Sequence, residues 1–480
     1  MTKSELIQSM NHEKDGLFEK SDLIWDHPET KYEEEYASGL LKEWLREEGF
    51  EVTENLGGIS TAFEGRYGNG SPVIGFLGEF DALAGMSQQA DTFRKAVDKT
   101  LIHGHGCGHN MLGCGSLYAA VFLKRYLEET GKTGTVIFFG CPAEEGGAGK
   151  AFLAKAGVFN KLNAALSWHP SDYNAVSTGS SLANIQLSYE FHGISAHAAA
   201  APHMGRSALD AVELMNVGCN YLREHIIPEA RIHYAVIDSG GTMPGIVQAY
   251  AKVLYMIRAP RMEDVRELEE RLNKIGEGAA LMTGTRVTSS FVKASYNLIS
   301  NTVLERILYK NMKDIPAPKA SAEQLDYAGK IQKSMEYMEN SLKPFEELLQ
   351  NDQKEELKAQ YGKPVYDFLI PYVPVNKVKT YSTDVGDVSW ITPTAQIAAT
   401  TWAANSFEHT WQVVAQGKSS LAHEGTLYAA KILCAAGFDI INKPEIAQEA
   451  ELELKDRLNG NTYQTLILDD MTYKRILEDK

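Results

Sequence analysis

Three short apolar runs, residues 73–78, 136–139 and 164–168, are separated by two stretches whose apolar residues recur at helical spacing, 117–127 and 150–156. Strands that alternate with helices return to one sheet through crossovers, so the rhythm predicts an α/β domain: a largely parallel sheet flanked by helices. Upstream, Tyr36, Leu40, Leu41, Trp44 and Leu45 mark an amphipathic surface helix that Gly49 closes. A chain of 480 residues exceeds the usual size of one core, so a second domain is expected.

Near residue 183 the rhythm changes. Residues 185–191 alternate like a half-exposed strand, 207–225 and 262–281 are helical, and 246–257 and 286–292 are strand-like. This strand-helix-strand-helix-strand unit predicts an inserted α+β domain whose antiparallel strands leave a sheet edge open to a second copy. Residues 301–379 are helical and rich in charge, with acids and bases mixed over 332–356 as in a solvated cover, and no chemistry is legible in them. The first pattern then returns, with a strand at 396–403 and a helix rich in Ala and Leu at 419–436. The expected division is 1–182 for the first part of the main domain, 183–300 for the insertion and 301–480 for the second part, the charged helical segment covering about 316–378.

Composition bears on function by exclusion. Lys and Arg number 47 against 63 Asp and Glu, a net charge of −16, which argues against a basic nucleic-acid-binding surface. No run reaches the roughly 18 to 20 apolar residues that span a bilayer, and the first residues lack a cationic end followed by an apolar core. Cys107, Cys114, Cys141, Cys219 and Cys434 are odd in number and widely spread, unlike a disulfide scaffold. A cytoplasmic protein is expected.

The densest chemical signal is His103-Gly104-His105-Gly106-Cys107-Gly108-His109-Asn110, where four potential metal ligands alternate with glycines ahead of a helix. By itself it reads either as a metal loop or as a Gly-rich turn with incidental imidazoles. Cys141-Pro142-Ala143-Glu144-Glu145-Gly146-Gly147 follows the strand at 136–139 and projects two adjacent carboxylates from a strand end, where sites of open α/β sheets lie. One such carboxylate can hold a cation while its neighbour takes a proton from water; exposed Glu-Glu pairs without any function are also common. Trp168-His169-Pro170 again follows an apolar strand, so His169 would reach the same rim. His423 stands by the start of the late helix, where histidines serve many ends. In the insertion, His197 lies among small residues that leave it reachable, and Arg206 precedes Ser207, a residue suited to capping a helix.

Together with Ser195-Ala196-His197-Ala198-Ala199 and Ser382-Thr383-Asp384-Val385-Gly386-Asp387, these motifs resemble the aminoacylase and indole-acetyl-amino-acid hydrolase metallopeptidase family, in its p-aminobenzoyl-glutamate-hydrolysing branch. The likeness runs from Ile24 to His423, nearly the whole chain. It implies a zinc-peptidase-like catalytic domain, a mixed sheet flanked by helices, with an inserted α+β lid domain through which the chain forms a homodimer. It also implies two divalent ions per subunit, Mn or Zn, held by Cys107, His109, Glu145, His169 and His423, with Glu144 as general base. His197 would come from the partner subunit and hydrogen-bond the oxyanion.

The implied reaction is hydrolysis of an N-acyl amino acid, foremost p-aminobenzoyl-glutamate. A dipeptidase, an aminoacylase of other specificity, and a non-catalytic metal-binding subunit paired with an A-type subunit are the alternatives. One position departs from the pattern: Gly245, in Gly241-Thr242-Met243-Pro244-Gly245, stands where relatives usually carry Asn. That leaves Arg206 and Arg258 as candidates for binding the substrate carboxylate, since a guanidinium can engage it through two parallel bonds.

Overall fold

A computed structural model describes residues 1–97, 100–468 and 471–478. Met1–Gly179, Ile299–Asn376 and Val388–Tyr463 form one compact unit. Ser180–Leu298, Lys377–Asp387 and the described residues from Gln464 onward form a second.

The first unit is built on a seven-stranded mixed sheet. Its strands are β1 (Glu51–Glu54), β2 (Phe63–Asn69), β3 (Val73–Glu79), β4 (Gly134–Cys141), β5 (Ala164–Ser171), β6 (Ala175–Ser177) and, late in the chain, β11 (Thr394–Thr400). They lie in the order β1-β2-β4-β3-β5-β11-β6, and the inner four run parallel. The flanking strands β2 and β6 run antiparallel to their neighbours, which makes the sheet mixed. β4 is buried along its whole length, as parallel strands covered on both faces must be.

The central helix, His109–Thr130, is buried on nearly every side between β3 and the helix Ser420–Asn442. It starts eight residues before the expected 117. A glycine within it permits close packing: a Cβ on Gly113 would stand 2.7 Å from the Glu79 carbonyl oxygen of β3. Beneath it, Lys150 and Glu79 form a buried ion pair, Nζ to Oε1 2.6 Å. The charged stretch after residue 316 forms helices at Ala322–Lys333, Lys343–Glu346 and Asn351–Lys358.

The second unit is a four-stranded antiparallel sheet of β7 (Ala183–His192), β8 (Arg231–Asp238), β9 (Tyr250–Ala259) and β10 (Arg286–Ser295), in the order β10-β7-β9-β8. Helices Ala208–Leu222 and Met262–Thr283 cover one face. The sequence pattern anticipates these strands and the two covering helices, β8 excepted; the helix Tyr473–Glu478 is not anticipated either. Strand β8 pairs with β9 alone among the described residues and buries little beyond Ile232, so it carries no period-two signal. β9 begins four residues later than expected, because Val247 pairs elsewhere, its N–H donating to the Ala196 carbonyl.

Residues 377–387 and the described residues from Gln464 onward, expected within the main domain, pack with this unit through bonds no local pattern announces. Leu182 N–H donates to the Tyr381 carbonyl, Tyr296 N–H to Asp387 and the Tyr296 hydroxyl to the Gln464 carbonyl.

Candidate metal centre

The parallel strands end level with one another. Glu79 of β3 sits opposite Cys141 of β4, and Ala398 of β11 opposite His169 of β5. Loops leaving these ends therefore converge on one rim of the sheet, the usual place for a site in such a fold.

Gly108 takes a positive φ of 73° and turns the Gly-rich loop into the central helix, leaving Cys107 on the loop and His109 in the first turn. After β4, Ala143 adopts φ 59°, a conformation that costs a side-chain-bearing residue energy. The turn is pinned by the Ala143 N–H, which donates to Glu34 Oε1 at 2.9 Å. Its effect is to send two consecutive carboxylates to different places. Glu144 falls beside Glu79 and His109, and Glu145 beside Cys107 and His409.

Two groups of donor atoms share one sulfur. Cys107, His109 and His169 form the first, and Cys107, Glu145 and His409 the second, each with its donor atoms within 4.8 Å of one another. Ligands of a tetrahedral Zn ion lie about 3.5 Å apart, so small inward shifts would let either trio hold an ion with a further position left open.

Neighbouring groups orient the imidazoles. Asp81 Oδ1 lies 2.8 Å from His109 Nδ1, while Asp81 Oδ2 accepts the Glu145 N–H at 2.9 Å. A carboxylate on one ring nitrogen turns the other toward an ion. That other nitrogen, His109 Nε2, is buried, makes no hydrogen bond and faces Glu79 Oε2 at 3.2 Å. His169 Nδ1 bonds the Pro170 carbonyl at 2.7 Å, which leaves Nε2 turned to the Cys107 sulfur at 3.4 Å. A buried thiol, imidazole nitrogens and carboxylates aimed at common points fit a pair of divalent cations.

The electrostatics point the same way. Burial and the nearby Glu145 charge push the Cys107 thiol well up. Burial opposes protonation of His109, but Asp81 and Glu79 outweigh it and raise its pKa well above the ordinary value. Burial likewise opposes ionisation of Glu145, yet His409, 3.3 Å away, and the charge of His109 hold it at about 2. Without a cation, then, Cys107 and His109 carry protons that a cation must displace. Metal uptake is expected to release on the order of two protons per chain and to tighten as pH rises. Calorimetric titration in buffers of different ionisation enthalpy measures this; binding without proton release would contradict it.

Of the five expected ligands, the structure brings Cys107, His109, Glu145 and His169 together, but not His423. In the helix Ser420–Asn442 the side toward β11 belongs to Gly425, where a Cβ would stand 2.1 Å from the Thr400 carbonyl oxygen. His423, two residues earlier and turned about 200° around the axis, stacks on Phe18 with ring centroids 4.5 Å apart, its Nε2 2.8 Å from Asp22. It belongs to none of the donor groups among the described residues.

His409 occupies the place that sequence reasoning missed. It lies in the loop after β11 at φ 62°, its N–H bonded to the Gly106 carbonyl at 2.8 Å. Asp172, buried, steadies the same loop by accepting the Asn405 N–H at 2.6 Å. The rule that singled out Glu145 and His169, a ligand at or just past a strand end, does not reach His409, because an irregular loop separates it from the end of β11 at Thr400. His105, one of the four candidates in the Gly-rich run, turns instead to the Ile24 carbonyl, and burial drives its pKa down to about 3.

The remaining expected residues lie in the second unit. His197 Nδ1 accepts the N–H groups of Ala199 and Ala200, each at 3.2 Å, so the neutral ring carries its proton on Nε2 and can donate outward. Arg206 is bonded to the His203 and Gly205 carbonyls, and Arg258 to Ser382 Oγ at 3.1 Å. No ion pair is formed by either arginine among the described residues. The Gly245 carbonyl accepts the Ala198 N–H next to His197, and a Cβ added at Gly245 would meet no heavy atom within 4 Å.

The model of Peptidase family M20/M25/M40 matches residues 75–451, a span that includes every residue of both donor groups. The chain belongs to that family. The M20 chain is 44% identical over 454 residues to the B-type subunit of the p-aminobenzoyl-glutamate hydrolase of Escherichia coli (strain K12), covering 94% of each. It is 28% identical over 472 residues to the Xaa-Arg dipeptidase of Mus musculus, covering 95% of this chain and 93% of the dipeptidase. Its fold is similar, with a TM-score of 0.53 and 16% identity, to a dinuclear metal binding peptidase from the M20 family of Bacillus subtilis, over 88% of this chain and 98% of that one. Family and hydrolase relatives together make this M20 protein a metal-dependent amidohydrolase.

Proposed function

We propose that the chain hydrolyses the amide bond of an N-acyl amino acid with two divalent cations, Mn or Zn, and that p-aminobenzoyl-glutamate is its substrate. The observation that carries the reading is the sharing of Cys107 between two donor groups, while Glu144 belongs to neither and meets the first only through His109, in a third group with Glu79. The named relative at 44% identity supplies the substrate. Cys107, His109 and His169 would hold one ion, and Cys107, Glu145 and His409 the other. A thiolate favours Zn, while the oxygen and imidazole donors also suit Mn.

Bound in pairs, such cations acidify a water and polarise the scissile carbonyl. Glu144 takes the proton of the attacking water and passes it to the leaving nitrogen, so that an amine rather than an amide anion departs. Asp81 holds His109 and the Glu145 backbone in place throughout. His197, donating through Nε2, stabilises the oxyanion from the partner subunit of a homodimer joined through the lid. The open edge of β8, with Val236 and Ile237 exposed, supports that pairing. Arg206 and Arg258 bind the substrate carboxylate. The subunit designation of the E. coli relative makes an A-type subunit a further partner.

The similarity to a dipeptidase over 95% of the chain favours a second reading, cleavage of a dipeptide ending in arginine. Comparing kcat/KM for p-aminobenzoyl-glutamate and for such a dipeptide decides between them. The first reading predicts a preference of at least about 100-fold for the aryl substrate; the reverse preference would replace it with the second.

A further inference from the structure

A cavity of about 440 Å³ opens beside His409, wholly within the first unit. Three distant stretches of chain wall it: Met86 and Arg94 after β3, Glu336 and Tyr337 from the charged helical segment, and Phe407 in the His409 loop. The segment that shows no chemistry in sequence thus borders the metal centre. Tyr337 is 74% and Phe407 42% exposed, so large aromatic surfaces stand open where a ligand could cover them.

The lining selects between the two halves of the substrate. A glutamate carries two carboxylates, which need cations, but here Arg94 is accompanied by the carboxylate of Glu336. An uncharged aryl ring has no such conflict. It can lie against Tyr337 and Phe407 in offset or edge-to-face contact, against the Met86 thioether, and under the Arg94 guanidinium. An acetyl group would leave most of the volume to water.

Resting on the reaction proposed above, we infer that this cavity receives the aromatic acyl half of the substrate, and that Tyr337 and Phe407 set the preference for aryl over small acyl groups. The test compares kcat/KM for p-aminobenzoyl-glutamate and N-acetylglutamate in the metal-loaded wild type, Tyr337→Ala, Phe407→Ala and the double variant. The aryl-to-acetyl ratio is expected to fall about 10- to 100-fold in the double variant, with metal content and melting temperature retained. A ratio unchanged in all three variants would overturn the inference.

Binding of p-aminobenzoate, read by calorimetry, gives an answer independent of turnover. Should the wild type cleave neither substrate, the proposed reaction fails, and the cavity is judged on this binding alone. A Kd at least tenfold weaker in the double variant upholds the inference; no binding to the wild type, or equal binding to both, overturns it.

Discussion

Glu144→Ala is expected to lower turnover by about 10²- to 10⁴-fold while the protein keeps its metal. The two consecutive carboxylates after β4 are separated by the turn at Ala143, so that Glu145 belongs to a donor group built on Cys107 and Glu144 does not. Removing Glu144 therefore takes away a proton acceptor and leaves both Cys107-centred groups intact. The comparison to make is kcat at saturating substrate alongside metal content by elemental analysis. Turnover and metal lost together would move Glu144 among the ligands. Undiminished turnover would mean that water needs no base on this chain.

The second large effect separates two histidines. His409→Ala is expected to weaken metal affinity by at least about 100-fold, because even residues that merely orient ligands cost 10- to 100-fold when removed. His423→Ala should leave metal binding and kcat near wild type, since its ring sits on Phe18 and Asp22. Metal titration of the two stripped variants measures both at once. The opposite ranking would return His423 to the centre and remove His409 from it.

That pair of histidines shows where sequence ceases to inform. The apolar runs at 73–78, 136–139 and 164–168 lie inside β3, β4 and β5, because strands buried on both faces must be apolar and flanking breakers delimit them. Cys107 and His109 stand two residues apart in one Gly-rich run, and Glu145 and His169 each follow or end a strand, so local pattern placed them on one rim of the sheet, while the ligand set itself came from the family resemblance. His409 is separated from β11 by an irregular loop with two left-handed residues, Asn405 and His409 itself, and no period leads to it.

The docking of residues 377–387 was hidden for a related reason, since its partners Leu182 and Tyr296 lie far off in the chain; β8 pairs with the very next strand and was hidden by its exposure instead. Asp81 shows a third kind of limit. Its two oxygens serve His109 Nδ1 and the Glu145 amide, an arrangement visible only when residues 28 and 64 positions further along have been folded back onto it.

The most direct measurement is release of p-aminobenzoate from p-aminobenzoyl-glutamate by the purified chain alone, stripped with chelator and refilled separately with Mn and Zn. The account predicts no release from the stripped protein and recovery that saturates at two ions per chain. Release undiminished by stripping, or silence with two ions tightly held, would contradict it.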